Sequence, residues 1–336
     1  MSKPRVFVTR QLPGDALQAL GEKADLVVWP EQMPPPAGAL LAEASQSAGL
    51  LTLVTDRIDE HLLRRCPLLR VVSNMAVGYD NIDVAACTAR QIPVGNTPGV
   101  LTETTADLTF ALLLAAARRI AEARDFVRAG KWITWEPGLL LGVEVHGATL
   151  GIFGMGKIGR AVARRAGAFS MKVLYCDKPR PEVELALGVQ RVEKDELLKA
   201  ADFVSLHVRF HPQTRHLIGA RELHLMRSSA ILINTSRGGV VDQAALTDAL
   251  AAGQIGGAAL DVTDPEPMAP DDPLLGLSNC LIVPHIGSAS LKARTLMARM
   301  AVENLLAGLQ GRALPHCVNP EVEVRKSPPG PPKSLL

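Results

Sequence analysis

Short apolar runs rich in β-branched residues recur along the chain, and each is followed by a stretch whose apolar residues return every three or four positions. In the first hundred residues the runs are Arg5-Val-Phe-Val-Thr9, Leu50-Leu-Thr-Leu-Val54 and Leu69-Arg-Val-Val-Ser73, with helical stretches such as 59–66 and 83–90 between them. This alternation predicts parallel strands covered by helices, an α/β architecture. Residues 103–129 read as one amphipathic helix, apolar through Leu108, Leu112, Ile120 and Phe126, ending at Gly130 as a C-terminal cap. After a loop carrying Trp132 and Trp135 the rhythm restarts at 148–153. Further strands are expected at 172–176, 203–208, 230–234, 257–261 and 280–283. A last helix over 291–309 is expected to pack back on the N-terminal half.

Length adds to this picture, because 336 residues exceed one ordinary hydrophobic core and favour two domains. Hydrophobic residues make up 47% and charged residues 21%, which excludes a disordered or fibrous chain. A net charge of +2, with no block of either sign, argues against nucleic acid or an anionic membrane as a partner. The apolar run 110–117 is too short to span a bilayer, and the opening Met-Ser-Lys-Pro-Arg5 lacks a signal-peptide core, so a cytoplasmic location is expected. Five scattered cysteines without a Cys-x-x-Cys pair suggest neither disulfides nor a metal site. From Glu321 the chain is rich in Pro, Gly and Lys, and residues 321–336 are expected to be a disordered tail. Its Pro328-Pro-Gly-Pro-Pro332 could also recruit a polyproline-binding domain.

The first candidate chemistry is Gly154-Met155-Gly156-Lys157-Ile158-Gly159, which follows a strand and opens a helix. The first glycine permits a tight turn, the second lets backbone approach a pyrophosphate, and the third lets the helix pack on the strand. Asp177 ends the next strand, where a carboxylate can accept hydrogen bonds from ribose hydroxyls. A nicotinamide cofactor, NAD(H) or NADP(H), is therefore expected. Asp177 favours NAD, against nearby Lys178, Arg180 and Arg209 as possible partners of a 2′-phosphate.

Three residues beside strand ends offer the means to reduce a 2-keto acid. Arg237, in Asn234-Thr-Ser-Arg-Gly-Gly239, has a planar fork suited to a carboxylate. Glu266 lies in Asp264-Pro-Glu-Pro267 and His285 in Pro284-His-Ile-Gly-Ser288. A histidine oriented by a carboxylate can exchange a proton with a nascent alkoxide. Each residue alone is more often a surface or structural group. Their conjunction downstream of a dinucleotide fingerprint changes that balance.

These segments, with Val77-Gly-Tyr-Asp-Asn-Ile-Asp83 and Asn96-Thr-Pro-Gly-Val-Leu-Thr-Glu-Thr-Thr-Ala-Asp-Leu-Thr109, make residues 3–320 resemble the D-isomer-specific 2-hydroxyacid dehydrogenases, and among them the glyoxylate/hydroxypyruvate reductases. The resemblance implies two Rossmann-like domains with parallel sheets. A flavodoxin-like substrate-binding domain would span 1–100, completed by 288–320, and an NAD(P)-binding domain 101–287. It implies that Arg237, Glu266 and His285 are catalytic and that the backbone of Val77 and Gly78 meets the substrate. Thr105, Thr235, Ser236, Asp261, Gly287 and Ser288 would lie along the cofactor with Arg237, His285 and the glycine turn. It also implies a homodimer in which Trp135 or Trp132 reaches the neighbouring substrate site, or is buried in the dimer contact. The substrate would be a small 2-keto acid such as glyoxylate or hydroxypyruvate. Arg209-Phe-His211 departs from the family's usual Pro-Leu-Thr and leaves cofactor choice open. Two other readings share this constellation: a phosphite dehydrogenase-like enzyme, and a non-catalytic nucleotide-sensing protein like the C-terminal-binding corepressors.

Overall fold

The computed structural model describes residues 3–322, and they form two compact units. One holds the chain up to Leu101 together with the part from Ser290 onward; the other is Thr102–Ala289.

The first unit contains a five-stranded parallel sheet of β1 (Arg5–Val8), β2 (Asp25–Val28), β3 (Gly49–Thr52), β4 (Val71–Asn74) and β5 (Val94–Gly95), in the order β2-β1-β3-β4-β5. Helices α1 (Ala16–Gly21), α2 (Ala37–Ser45), α3 (Glu60–Arg64) and α4 (Val84–Ala89) connect the strands. Two of them begin where a carboxylate can satisfy an otherwise unpaired amide: Asp59 accepts from Leu62 N and Asp83 from Ala86 N.

The second unit has seven parallel strands: β6 (Thr149–Phe153), β7 (Lys172–Cys176), β8 (Gln190–Arg191), β9 (Phe203–Leu206), β10 (Ile231–Asn234), β11 (Gly257–Leu260) and β12 (Cys280–Ile282). Their order is β12-β11-β10-β9-β6-β7-β8, so the chain reverses direction across the sheet between β6 and β9. Its helices are α5 (Thr102–Ala117), α6 (Ile120–Arg128), α7 (Lys157–Ala168), α8 (Pro181–Leu187), α9 (Lys194–Ala200), α10 (Ala220–Leu225) and α11 (Gln243–Ala251). The final helix, α12 (Leu291–Leu309), belongs to the first unit and is capped by Ser290, whose hydroxyl accepts from Ala293 N.

Each sheet is buried on both faces, which is why its strands read as continuous apolar runs. Alternate residues of β1 serve opposite layers: Val6 and Val8 pack with Leu20 of α1 and Ala301 and Leu305 of α12, while Phe7 packs with Leu40, Leu62 and Leu63. In the second unit, α5 and α7 cover one face through Phe110, Leu113, Val162 and Ala166, and α9 to α11 cover the other through Leu197, Leu223 and Leu246.

Two expectations are corrected. The helix expected over 103–129 is two helices, because Arg119 adopts a left-handed conformation at φ +52°. Val143 N takes the Ala117 carbonyl that a continuing helix would use, and Gly142 sits so close that a Cβ there would lie 2.2 Å from that oxygen. The apolar stripe is broken with it, since α5 is buried along most of its length and α6 buries no residue. At Gly130 the chain does end α6 as expected: Gly130 N bonds Val127 O and Lys131 N bonds Phe126 O, with Gly130 at φ +66°. In the tail, Val322 is buried rather than loose, while 323–336, including the proline-rich motif, lie outside the described residues.

Candidate active site

The glycine turn after β6 lies at the switch point of the second sheet, where open α/β sheets gather ligands. Gly154 has φ +91°, and a Cβ on it would lie 2.6 Å from the His207 carbonyl at the end of β9, so no other residue fits this crossing. Gly159 has the same constraint from within, since its Cβ would meet Gly154 O at 2.1 Å. Gly156 differs, because open space lies where its side chain would be, and it precedes the amides of α7 without any side-chain cap. A turn that leaves room at its second glycine and unpaired helix amides behind it suits a pyrophosphate.

Asp177, just past β7, turns its carboxylate into this turn. Its Oδ2 accepts from Met155 N at 2.8 Å and its Oδ1 from Lys178 N at 2.7 Å. Arg180 stands 3.7 Å away with its side chain only 20% exposed. Arg191, which sequence reasoning passed over, donates from Nε to the Asp177 carbonyl at 2.9 Å. Its signal is faint, because a surface arginine on a two-residue strand resembles any other.

At the other end of the sheet three loops converge. Arg237 follows β10 in a loop organised by the buried Asn234, whose Oδ1 accepts from Ser236 N and Oγ and whose Nδ2 donates to the Arg237 carbonyl. Gly238 presses on the next loop so tightly that a Cβ would lie 1.9 Å from Thr263 O. That loop carries Glu266, and Gln243, at the start of α11, accepts from Asp264 N at 3.0 Å to hold it. Glu266 Oε1 lies 2.5 Å from His285 Nδ1, which leaves Nε2 as the ring atom that can meet a substrate. Neither Asn234 nor Gln243 was singled out by sequence reasoning; the first lay unremarked inside a quoted motif.

His285 itself adopts φ +51°, an uncommon conformation for a side chain of this size. Asp261 at the end of β11 enforces it. The Asp261 carbonyl accepts from His285 N, its Oδ1 from Ile286 N at 2.6 Å and its Oδ2 from Gly287 N at 2.8 Å. Burial pushes the Asp261 carboxyl above the ordinary carboxylate value, against those amides and His285, which pull it down. Thr105 donates to the Gly287 carbonyl at 3.0 Å, Thr109 donates to the Thr105 carbonyl at 2.8 Å and meets Thr235 at 3.0 Å, so Thr105, Thr109, Thr235, Gly287 and Asp261 share one connected network. His207 is the other histidine near the switch point. Its enclosed Nδ1 finds no partner among the described residues, and burial pushes the imidazole down to about 3, so it remains neutral. His285 is the one of the two placed beside a carboxylate.

Val77 and Gly78 lie in the first unit, half-buried after β4. Trp132 and Trp135 are 63% and 79% exposed in the second unit.

Residues 110–287 match the NAD-binding domain of the D-isomer specific 2-hydroxyacid dehydrogenases. A glyoxylate reductase from Korarchaeum cryptofilum is 52% identical over 330 residues, 98% of this chain and 99% of its own. The chain belongs to the D-isomer-specific 2-hydroxyacid dehydrogenase family. It is thus an NAD(P)-dependent oxidoreductase with two Rossmann-like parallel sheets. Among solved structures, a Thermus thermophilus protein of 48% identity gives a TM-score of 0.89, covering 94% of this dehydrogenase and 99% of that chain. An NADPH-dependent glyoxylate/hydroxypyruvate reductase from Sinorhizobium meliloti, in complex with NADP and malonate, is 33% identical with a TM-score of 0.85, covering 97% and 100%.

Proposed function

We propose that this dehydrogenase reduces glyoxylate or hydroxypyruvate to the 2-hydroxy acid. The observation that carries the reading is the Glu266–His285 pair, set beside the Arg237 loop at the carboxyl ends of the strands that also bear the dinucleotide turn. The names of similar relatives favour glyoxylate within the family's substrate class.

The cofactor supplies the hydride, and every other role falls to the chain. Gly154, Met155, Gly156, Lys157, Ile158 and Gly159 would hold the pyrophosphate and Asp177 the adenosine ribose. Thr105, Thr235, Ser236, Asp261, Gly287 and Ser288 would line the remainder. His285 donates a proton from Nε2 to the carbonyl oxygen as negative charge grows there, and Glu266 on Nδ1 fixes the ring. Arg237 binds the substrate and polarises its carbonyl. In the first unit, Val77 and Gly78 keep the substrate-carboxylate role that the family resemblance implies. In our reading the protein acts in the cytoplasm as a homodimer, with Trp135 or Trp132 reaching toward a second copy. The described residues contain no helix long and apolar enough to cross a membrane.

Steady-state assays of glyoxylate, hydroxypyruvate and pyruvate with NADH and NADPH test the proposal. Oxidation of the nicotinamide with glyoxylate or hydroxypyruvate, at least tenfold more efficient than with pyruvate, is expected. The absence of turnover with all three would overturn it.

A further inference from the structure

Two consecutive amides in the first unit, those of Val77 and Gly78, find no acceptor among the described residues. Unpaired amides in a half-buried loop cost free energy unless something meets them. Their directions are nevertheless set. Because a peptide unit is planar, the N–H of one residue points opposite the carbonyl of the residue before it, so gripping that carbonyl aims the amide. The Ala76 carbonyl, in the plane that carries the Val77 amide, accepts from Thr97 N at 2.8 Å. The Val77 carbonyl, in the plane that carries the Gly78 amide, accepts from Asn96 Nδ2 at 2.9 Å. Both grips come from two adjacent residues just after β5.

Asn96 is itself anchored at both backbone groups. Its N–H donates to the His316 carbonyl at 3.1 Å and its carbonyl accepts from Nδ2 of the fully buried Asn304 at 2.9 Å. A second clamp closes the far side of the loop. Asn74 donates to the Gly78 carbonyl at 3.0 Å and to Asn81 Oδ1 at 3.2 Å, while Asn81 donates to the carbonyls of Leu53 and Asp56.

We infer that Asn96 is a positioning residue that aims the Gly78 amide, through the Val77 carbonyl it grips, at the carboxylate of the substrate, beside the Val77 amide that Thr97 N sets through the Ala76 carbonyl. The inference rests on the 2-keto acid reading above and extends it to a residue that never touches the substrate. A neutral amide donor stabilises a carboxylate only while its direction persists, since misaligned bonds weaken steeply. Asn96 therefore acts on discrimination between a charged acid and its neutral ester, a quantity that overall fold stability leaves alone.

The test compares kcat/KM for glyoxylate and for methyl glyoxylate with NADH in the wild type, in Asn96→Ala, which removes the donor, and in Asn96→Asp, which keeps the shape but sets an acceptor against the Val77 carbonyl. The acid-to-ester ratio is expected to fall about tenfold in Asn96→Ala and further in Asn96→Asp, with the KM for NADH unchanged. A ratio equal to the wild-type value in either soluble variant would overturn the inference, and Asn96→Asp retains enough shape to fold should Asn96→Ala not. A wild-type enzyme that reduces the ester as efficiently as the acid would instead overturn the carboxylate reading beneath it.

Discussion

Among the described residues, Glu266 on Nδ1 fixes the His285 ring, and Asp261 holds its backbone conformation. Asparagine keeps a polar side chain but cannot transfer a proton. His285→Asn is therefore expected to lower kcat by about 100-fold or more, the usual scale of general acid/base catalysis, with cofactor affinity by fluorescence titration unchanged. Normal turnover by that variant would make His285 a structural residue. Asp177 decides a second matter at this scale. Both its oxygens are tied to backbone amides, and the nearest cation, Arg180, is already paired with it, so a 2′-phosphate would meet a fixed negative charge and a partly neutralised positive one. NADH is expected to serve at least as well as NADPH in kcat/KM. A preference for NADPH above about tenfold, roughly 1.4 kcal/mol, would mean that the cations prevail.

Among the elements, α10 shows how charge is used beside an apolar core. Glu222 lies in its first turn with its side chain 11% exposed, accepts from Gly219 N, and pairs with Lys194 at 2.8 Å and Arg221 at 3.1 Å. Burial alone would raise its carboxyl, but those donors overcome it and hold it below the ordinary value of 4.5. A depressed folded-state value means stability that is present above about the ordinary carboxylate value and lost as pH falls through the folded one. Glu222→Gln is expected to cost about 1–2 kcal/mol at pH 7, a few degrees in thermal midpoint. The gap to the wild type should close as the pH of the melt is taken below the ordinary value of 4.5. A gap that stays constant as the pH is lowered through that range would show that the charge of Glu222 is not what stabilises the helix.

For the whole molecule, the concentration of exposed apolar side chains in one short stretch has a consequence. Ile120, Val127, Trp132, Ile133, Trp135 and Leu141 are each more than half exposed, and they follow one another from α6 through its trailing loop. Exposed apolar side chains gathered in this way are what a subunit contact would cover. Sedimentation equilibrium at micromolar concentration is expected to give twice the 35.8 kDa chain mass, and Ile133→Asp to shift it toward the monomer. A wild-type protein that sediments as a single chain would count against the homodimer.

The α/β class, the parallel sheets and the dinucleotide turn were legible in the chain because each depends on local chemistry. Doubly buried strands must be apolar throughout, and the three glycines of 154–159 sit in a turn between a strand and a helix whose spacing is local. Arg237, Glu266 and His285 were legible as candidates because each follows a strand end. Helix α5 shows where local pattern failed, since nothing in residues 117–120 announces a break that depends on Gly142 and Val143 arriving from over twenty residues away. The same holds for the groups that orient the site. Asn234, Gln243 and Asn96 act through hydrogen bonds to carbonyls and amides that only folding brings near, so their residue type carried no sign of their task, and Asp261, expected along the cofactor, holds the Ile286 and Gly287 amides as well. Sequence periodicity by itself determined most of the strands and helices, though not the break at Arg119 or strands β2, β5 and β8, because burial on one or two faces is written in the spacing of apolar residues. Tertiary structure decided which way the reactive side chains and backbone amides point, because direction is set by partners distant along the chain.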